Sequence, residues 1–183
     1  TTTIISFSTE HQYRDGFAPF TPGFTIVKYG DIEDLKAKIN PNTVAFLVEP
    51  IQGEAGIIIP PAGYLREAEK VCKDNNVLFI CDEIQSGLGR SGKLFAYQYE
   101  GVEPDMVIIG KALSGGFYPV SAVLANKEVL GVFKPGDHGS TFGGNPLAAA
   151  VAQESLKVLI EERMIENSAE SGKYFMDKLR QIQ

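Results

Sequence analysis

Asp82 ends the apolar run VLFICDE, and Lys111 ends MVIIGKALSGG. Each stands where a short β-branched run gives way to a polar loop. In an open parallel sheet, ligands bind at the carboxyl ends of the strands, so an acid and an amine at two such ends can face one site. A lysine amine can form an imine with an aldehyde. A carboxylate can hold an aromatic ring nitrogen protonated so that the ring accepts electrons. Pyridoxal phosphate asks this pairing of a protein.

Three further stretches carry polar groups that could serve such a site. EPIQGEAGIIIPP leaves an apolar run and places Glu49, Gln52 and Glu54 in or near a strand-end crevice. Pro50, Gly53 and Gly56 fix its turn, so Glu54 can be held in place, although a solvated acidic loop is the competing reading. GDHGSTFGGNP is rich in small residues and runs into a helix N-terminus. There the backbone N–H groups and the Ser140 and Thr141 hydroxyls could meet a phosphate; an N-capping turn without a ligand is the alternative. DEIQSGLGRSGK matches two phosphate-loop patterns, through Gly87, Gly89 and Gly92 and through Gly87, Gly92 and Lys93. Both fail on context. Leu94 stands where a P-loop needs Ser or Thr, and DEIQS intervenes where a dinucleotide fingerprint should open a helix. A flexible active-site loop is the better reading.

The elements that must position these residues alternate between strand and helix. TVAFLVE (43–49), VLFIC and DMVIIG are continuous apolar runs of strand length, the pattern of buried parallel strands. SAVLA (121–125) follows a short connection that suits an antiparallel neighbour. Asp31 is a good N-cap for DIEDLKAKI, with Ile32, Leu35 and Ile39 on one face. A second helix follows PPAG with a stripe of Leu65, Ala68, Val71 and Cys72. A third begins at the Asn145 cap and Pro146, with Leu147, Val151, Val158 and Leu159 as its stripe. Residues 3–8 are β-branched and aromatic and predict a strand, followed by a long ordered loop over 9–30. The order of elements predicts an α/β fold with a mostly parallel sheet and flanking helices.

Composition narrows the function classes. The 183 residues are 44% hydrophobic and 22% charged, with a formal net charge of −6. This is globular usage with no basic patch, so neither nucleic acid nor membrane is expected as a partner. The apolar runs are too short to cross a bilayer. Cys72 and Cys81 read as core thiols of a reducing compartment, and His11 and His138 are far apart, so no metal site is expected. The chain opens on TTTIISFS without an initiator methionine and closes on a helix without a cap. That reads as a segment of a longer protein, cut at both ends.

EPIQGEAG, VLFICDEIQSGLGRSG, PDMVIIGKALSGGFYPVSAV and HGSTFGGNP, in this order, resemble the class III (subgroup II) pyridoxal-phosphate aminotransferases. The resemblance covers essentially the whole chain and is densest from Thr43 to Ala148. It implies the central part of a fold-type I large domain over 1–160, with 161–183 beginning a C-terminal small domain. It makes Lys111 the lysine that binds the cofactor as an imine and Asp82 the acid under its pyridine nitrogen. Gln85 would bond the phenolic oxygen and Ile84 pack on the ring face. Thr141, with Ser140, would reach the phosphate of the neighbouring subunit, and Glu54 would act as a substrate gate. The implied protein is a homodimer or larger homo-oligomer with shared active sites, in the cytoplasm or the mitochondrial matrix. Its substrates would be amino and keto acids. QGEAG and HGSTFGGNP favour the branch that moves the δ-amino group of ornithine to 2-oxoglutarate over the acetylornithine and glutamate-semialdehyde relatives, with another class III type, acetylornithine or 4-aminobutyrate, as the alternative. The resemblance also implies parts outside this chain: an upstream phosphate loop, a ring-stacking aromatic and an arginine that pairs with Glu54. Two rivals stand beside this reading, a nucleotide-binding domain using glycines 87–92 and an inert fragment.

Overall fold

Parallel pairing follows from the three apolar runs. In the computed structural model, which describes residues 2–183, they form β1 (Ala45–Val48), β2 (Leu78–Asp82) and β3 (Met106–Ile109). β4 (Ala122–Ala125) completes a four-stranded sheet in the order β1-β2-β3-β4. β1–β2 and β2–β3 are parallel, and β4 runs antiparallel to β3, as the short connection predicts. The buried residues Phe46, Val48, Phe79, Cys81, Val107 and Ile109 alternate along their strands and pair in register, so they share one face. The other face is only half covered among the described residues, where continuous apolar runs predict burial on both sides. Asp82, one step beyond Cys81, belongs to that less covered face.

The chain divides into two compact units, Thr1–Asn42 and Thr43–Gln183. The first holds α1 (Thr2–Ser6), α2 (His11–Arg14) and α3 (Ile32–Lys38). α1 replaces the strand expected over 3–8. No strand lies in this unit among the described residues, so an extended segment would leave its backbone groups unpaired. A helical turn satisfies them locally, and the Ser6 hydroxyl donates back to Thr2 O at 2.7 Å. α3 starts at the predicted cap, where Asp31 Oδ1 accepts the Asp34 N–H at 3.0 Å.

In the second unit α4 (Tyr64–Asp74) packs on β2 and buries Leu65, Ala68, Val71 and Cys72, the predicted stripe. The Glu100 carboxylate caps it from a distant loop, accepting the Gly63 and Arg66 N–H groups at 2.9 and 3.2 Å. α5 (Lys127–Leu130) is short. α6 (Pro146–Glu161) begins at Asn145, whose Oδ1 accepts the Ala148 N–H at 2.8 Å. Its inward face differs from the expected stripe. Leu147 and Val158 are exposed, while Ala148 is buried and Ala152, Leu156 and Leu159 pack on the core of Leu88, Val107, Ile109 and Leu113. The alanines let the helix approach closely, which a reading weighted by large side chains misses. α7 (Met164–Ile182) packs on α6 within the second unit.

The glycines of the 87–92 loop serve close packing. Gly92 has φ +90°, and a methyl there would sit 3.1 Å from Ala169 Cα on α7 and 3.2 Å from the Tyr99 hydroxyl. Gly92→Ala is therefore expected to lower stability by about 1–3 kcal/mol, read from the urea midpoint. An unchanged midpoint would show that the loop and α7 can part without cost.

Candidate active site

Strand register delivers three chemical groups to one edge of the sheet. Val48 pairs with Cys81 and Asp82 with Ile108. Glu49 and Asp82 therefore leave their strands at the same level, and Gly110 and Lys111 follow β3 nearby. Asp82 Oδ1 accepts the Ile84 N–H at 3.0 Å. Burial pushes the Asp82 carboxyl above its ordinary range, against the opposing pull of that hydrogen bond and of the Lys111 charge. Asp82 is thus a half-buried acid whose charged form burial disfavours.

Lys111 opens a short 3-10 turn, Lys111–Ser114, with φ +41°. A left-handed conformation in a residue with a Cβ is costly, and such strain gathers where geometry serves function. The side chain is half exposed, and its Nζ lies 3.3 Å from Glu54 Oε1. The same Glu54 oxygen accepts a short hydrogen bond from Gln85 Nε2. An exposed pair of this kind adds about 0–1 kcal/mol, so its importance lies in placement rather than stability. Ile84 covers the start of the turn, since a methyl built on Gly110 would sit 3.6 Å from its Cγ1 and Cγ2.

Of the residues singled out in the sequence, Gln85 and Lys111 each contact Glu54, and Asp82 and Ile84 stand beside Gln85 in the turn after β2. Ser140 and Thr141 lie in an exposed loop, where Ser140 Oγ accepts the Gly143 N–H at 2.8 Å. Among the described residues no hydrogen bond links that loop to Asp82 or Lys111.

Two features escaped the sequence reading. Glu83 turns inward and is 1% exposed, accepting from Ser86 Oγ at 2.6 Å and from the Tyr97 N–H at 2.8 Å. Glu49 Oε2 accepts the Gly53 N–H at 3.0 Å. Strand alternation could have flagged Glu83, because neighbours at a strand end face opposite ways. Nothing in the sequence announces the Glu49 contact.

This donor set suits pyridoxal phosphate. Lys111 offers an accessible amine for covalent attachment. Asp82 offers a carboxylate whose missing counter-charge a protonated ring nitrogen would supply, and Ile84 an apolar wall between them.

Known proteins are similar to this chain over its whole length. The profile of the Aminotransferase class-III family matches residues 1–183. The chain is 61% identical over 182 residues to an ornithine aminotransferase of Brevibacillus brevis, covering 100% of this chain and 46% of that protein. It is 48% identical, with a TM-score of 0.96, to the ornithine aminotransferase of Toxoplasma gondii crystallised with oxidised glutathione, which is described with partial occupancy of PLP at its active site. That match covers 99% of this chain and 43% of the other. An acetylornithine aminotransferase of Elizabethkingia anophelis is 52% identical with a TM-score of 0.84, over 88% of this chain and 43% of its own. The chain thus spans just under half the length of the curated relatives it matches. Its sheet is that of the fold-type I transferases. With the family profile running from end to end, this chain belongs to the class III aminotransferases, which depend on pyridoxal phosphate.

Proposed function

We propose that the whole protein containing this chain transfers the δ-amino group of ornithine to 2-oxoglutarate, giving glutamate 5-semialdehyde. The observation that carries the chemistry is the convergence of Asp82, Gln85, Lys111 and Glu54 at the ends of adjacent parallel strands. The likeness to the Brevibacillus brevis and Toxoplasma gondii enzymes supports ornithine as donor. The Elizabethkingia anophelis likeness keeps acetylornithine as the second reading.

Pyridoxal phosphate, when bound, supplies an aldehyde carbon and an electron-withdrawing ring. Lys111 Nζ would hold the cofactor covalently, and its amine would serve as the base that carries a proton at the reacting carbon. Asp82, fixed through the Ile84 N–H on Oδ1, would face the ring nitrogen and keep it cationic. Gln85 would orient the phenolic oxygen, and Ile84 would exclude water from one ring face. Ser140 and Thr141 are assigned to a phosphate, with Thr141 reaching into the neighbouring subunit. Glu54 gates the substrate path. We place residues 1–160 in the large domain and take 161–183 to begin the small one. We assign the whole protein to a homodimer or larger homo-oligomer with shared sites, in which Phe117, Phe133 and Phe142, exposed in this chain, would be covered. No helix is long and apolar enough to cross a membrane among the described residues. The free, buried Cys72 and Cys81 fit a reducing compartment such as the cytoplasm.

Isotope labelling tests the reaction. With ornithine labelled at the δ-nitrogen and 2-oxoglutarate, the holoenzyme is expected to place the label in glutamate. Transfer from the α-nitrogen, or faster turnover of acetylornithine, would replace the reading. Asp82→Asn keeps size but not charge and is expected to lower turnover about 10²-fold or more with the fold intact. Near-normal turnover would remove Asp82 from the site.

A further inference from the structure

The 50–58 loop carries Glu54 to Lys111, and its own anchorage is visible in the backbone. Pro50 is fully buried, so the chain leaves β1 in a fixed direction. Gln52 and Ile58 exchange two backbone hydrogen bonds of 3.0 Å each, closing a small hairpin. Inside it Gly53 O accepts from the Gly56 and Ile57 N–H groups at 3.1 and 3.3 Å. The Gly53 N–H points back toward the sheet, to Glu49 Oε2 at 3.0 Å. Gly53 also packs directly on the Gln85 side chain, which leaves no room there for a Cβ. One joint therefore sets the hairpin against the sheet edge and against Gln85. The Glu54 side chain itself is 71% exposed, so its position depends on the backbone beneath it and on two polar partners.

We propose that Glu49 is a positioning residue of this site. Its carboxylate clamps the Gly53 N–H and so holds the hairpin that presents Glu54 to Lys111 and Gln85. The proposal rests on the functional reading above and adds a residue to it. Gly53 is four residues beyond Glu49, so the clamp spans the Pro50 turn without help from another element. Glu49 is half-buried at the level of Asp82, and the Asp82 and Glu54 carboxylates and the Lys111 ammonium are the charges that face it. The clamp is an acceptor function, and an amide oxygen can perform it without charge.

Two measurements test this, one of them independent of turnover. In Glu49→Ala, hydrogen exchange at the Gly53 amide is expected to quicken about tenfold or more, the equivalent of ~1.4 kcal/mol for a lost hydrogen bond. Protection of β2 should be unchanged, and Glu49→Gln should restore the parent rate at Gly53. In the holoenzyme, Glu49→Ala and Glu54→Ala are expected to raise the KM for the keto acid alike, with kcat changed less. The double variant should be no worse than Glu54→Ala alone. Unaltered Gly53 exchange in Glu49→Ala, a Gln variant as impaired as the Ala variant, or additive effects in the double variant would each overturn the proposal. If the protein instead fails to transaminate ornithine, the exchange result still stands or falls by itself.

Discussion

Lys111→Ala is expected to abolish the covalent cofactor adduct fixed by borohydride on this stretch of the holoenzyme and to lower turnover by about 10³-fold or more. Only an amine makes the imine, and no neighbour can replace it. Lys93 Nζ donates to Gln98 O at 3.0 Å and lies 4.6 Å from the Tyr99 ring centroid, engaged on its own loop. Lys127 begins α5, beyond β4. The fold should survive the change. The pair with Glu54 is exposed, and the left-handed backbone at residue 111 costs alanine no more than it costs lysine. Peptide mapping of the reduced protein decides the matter. An adduct at Lys93 or Lys127 would move the site away from the end of β3.

The second large effect concerns stability and lies one residue from Asp82. Glu83→Leu is expected to cost about 3–6 kcal/mol, because the Tyr97 and Ala96 N–H groups and the Ser86 hydroxyl lose their acceptor. That is a large part of the stability of a typical domain, roughly 5–15 kcal/mol. Glu83→Gln keeps an acceptor for Tyr97 and should lose far less. It should also change the pH dependence. Burial raises the Glu83 pKa in the folded chain, so the folded state binds this proton more tightly than the unfolded one. The stabilising contribution is complete below the ordinary glutamate value of 4.5 and disappears as pH rises through the folded value. Across that window the parent should lose stability relative to Glu83→Gln. Urea midpoints of parent and both variants give the answer. A Leu variant within about 1 kcal/mol of the parent would show that other groups or water satisfy the network.

The sequence alone determined the order of strands and helices, because apolar runs of strand length and capped amphipathic helices are local patterns. Asp31 and Asn145 cap as their residue types demand, and β4 turns antiparallel because its connection is short. The residues at the ends of β2 and β3 were equally legible, since a polar side chain that closes an apolar run stands at a strand end. Other features depended on partners distant along the chain. The helical start at Thr2–Ser6 follows from the lack of a strand in its unit among the described residues, not from its β-branched residues. The inward face of α6 was chosen by close approach at Ala148 and Ala152 rather than by its largest side chains. The glycines at 87–92 look like a phosphate loop in sequence. Contact with α7 across more than seventy residues makes Gly92 a packing position instead. The Glu49 clamp and the Glu83 network are tertiary in the same sense. Whether a carboxylate at a strand end faces a ligand, a loop N–H or the core depends on the side of the pleat it takes and on what packs there.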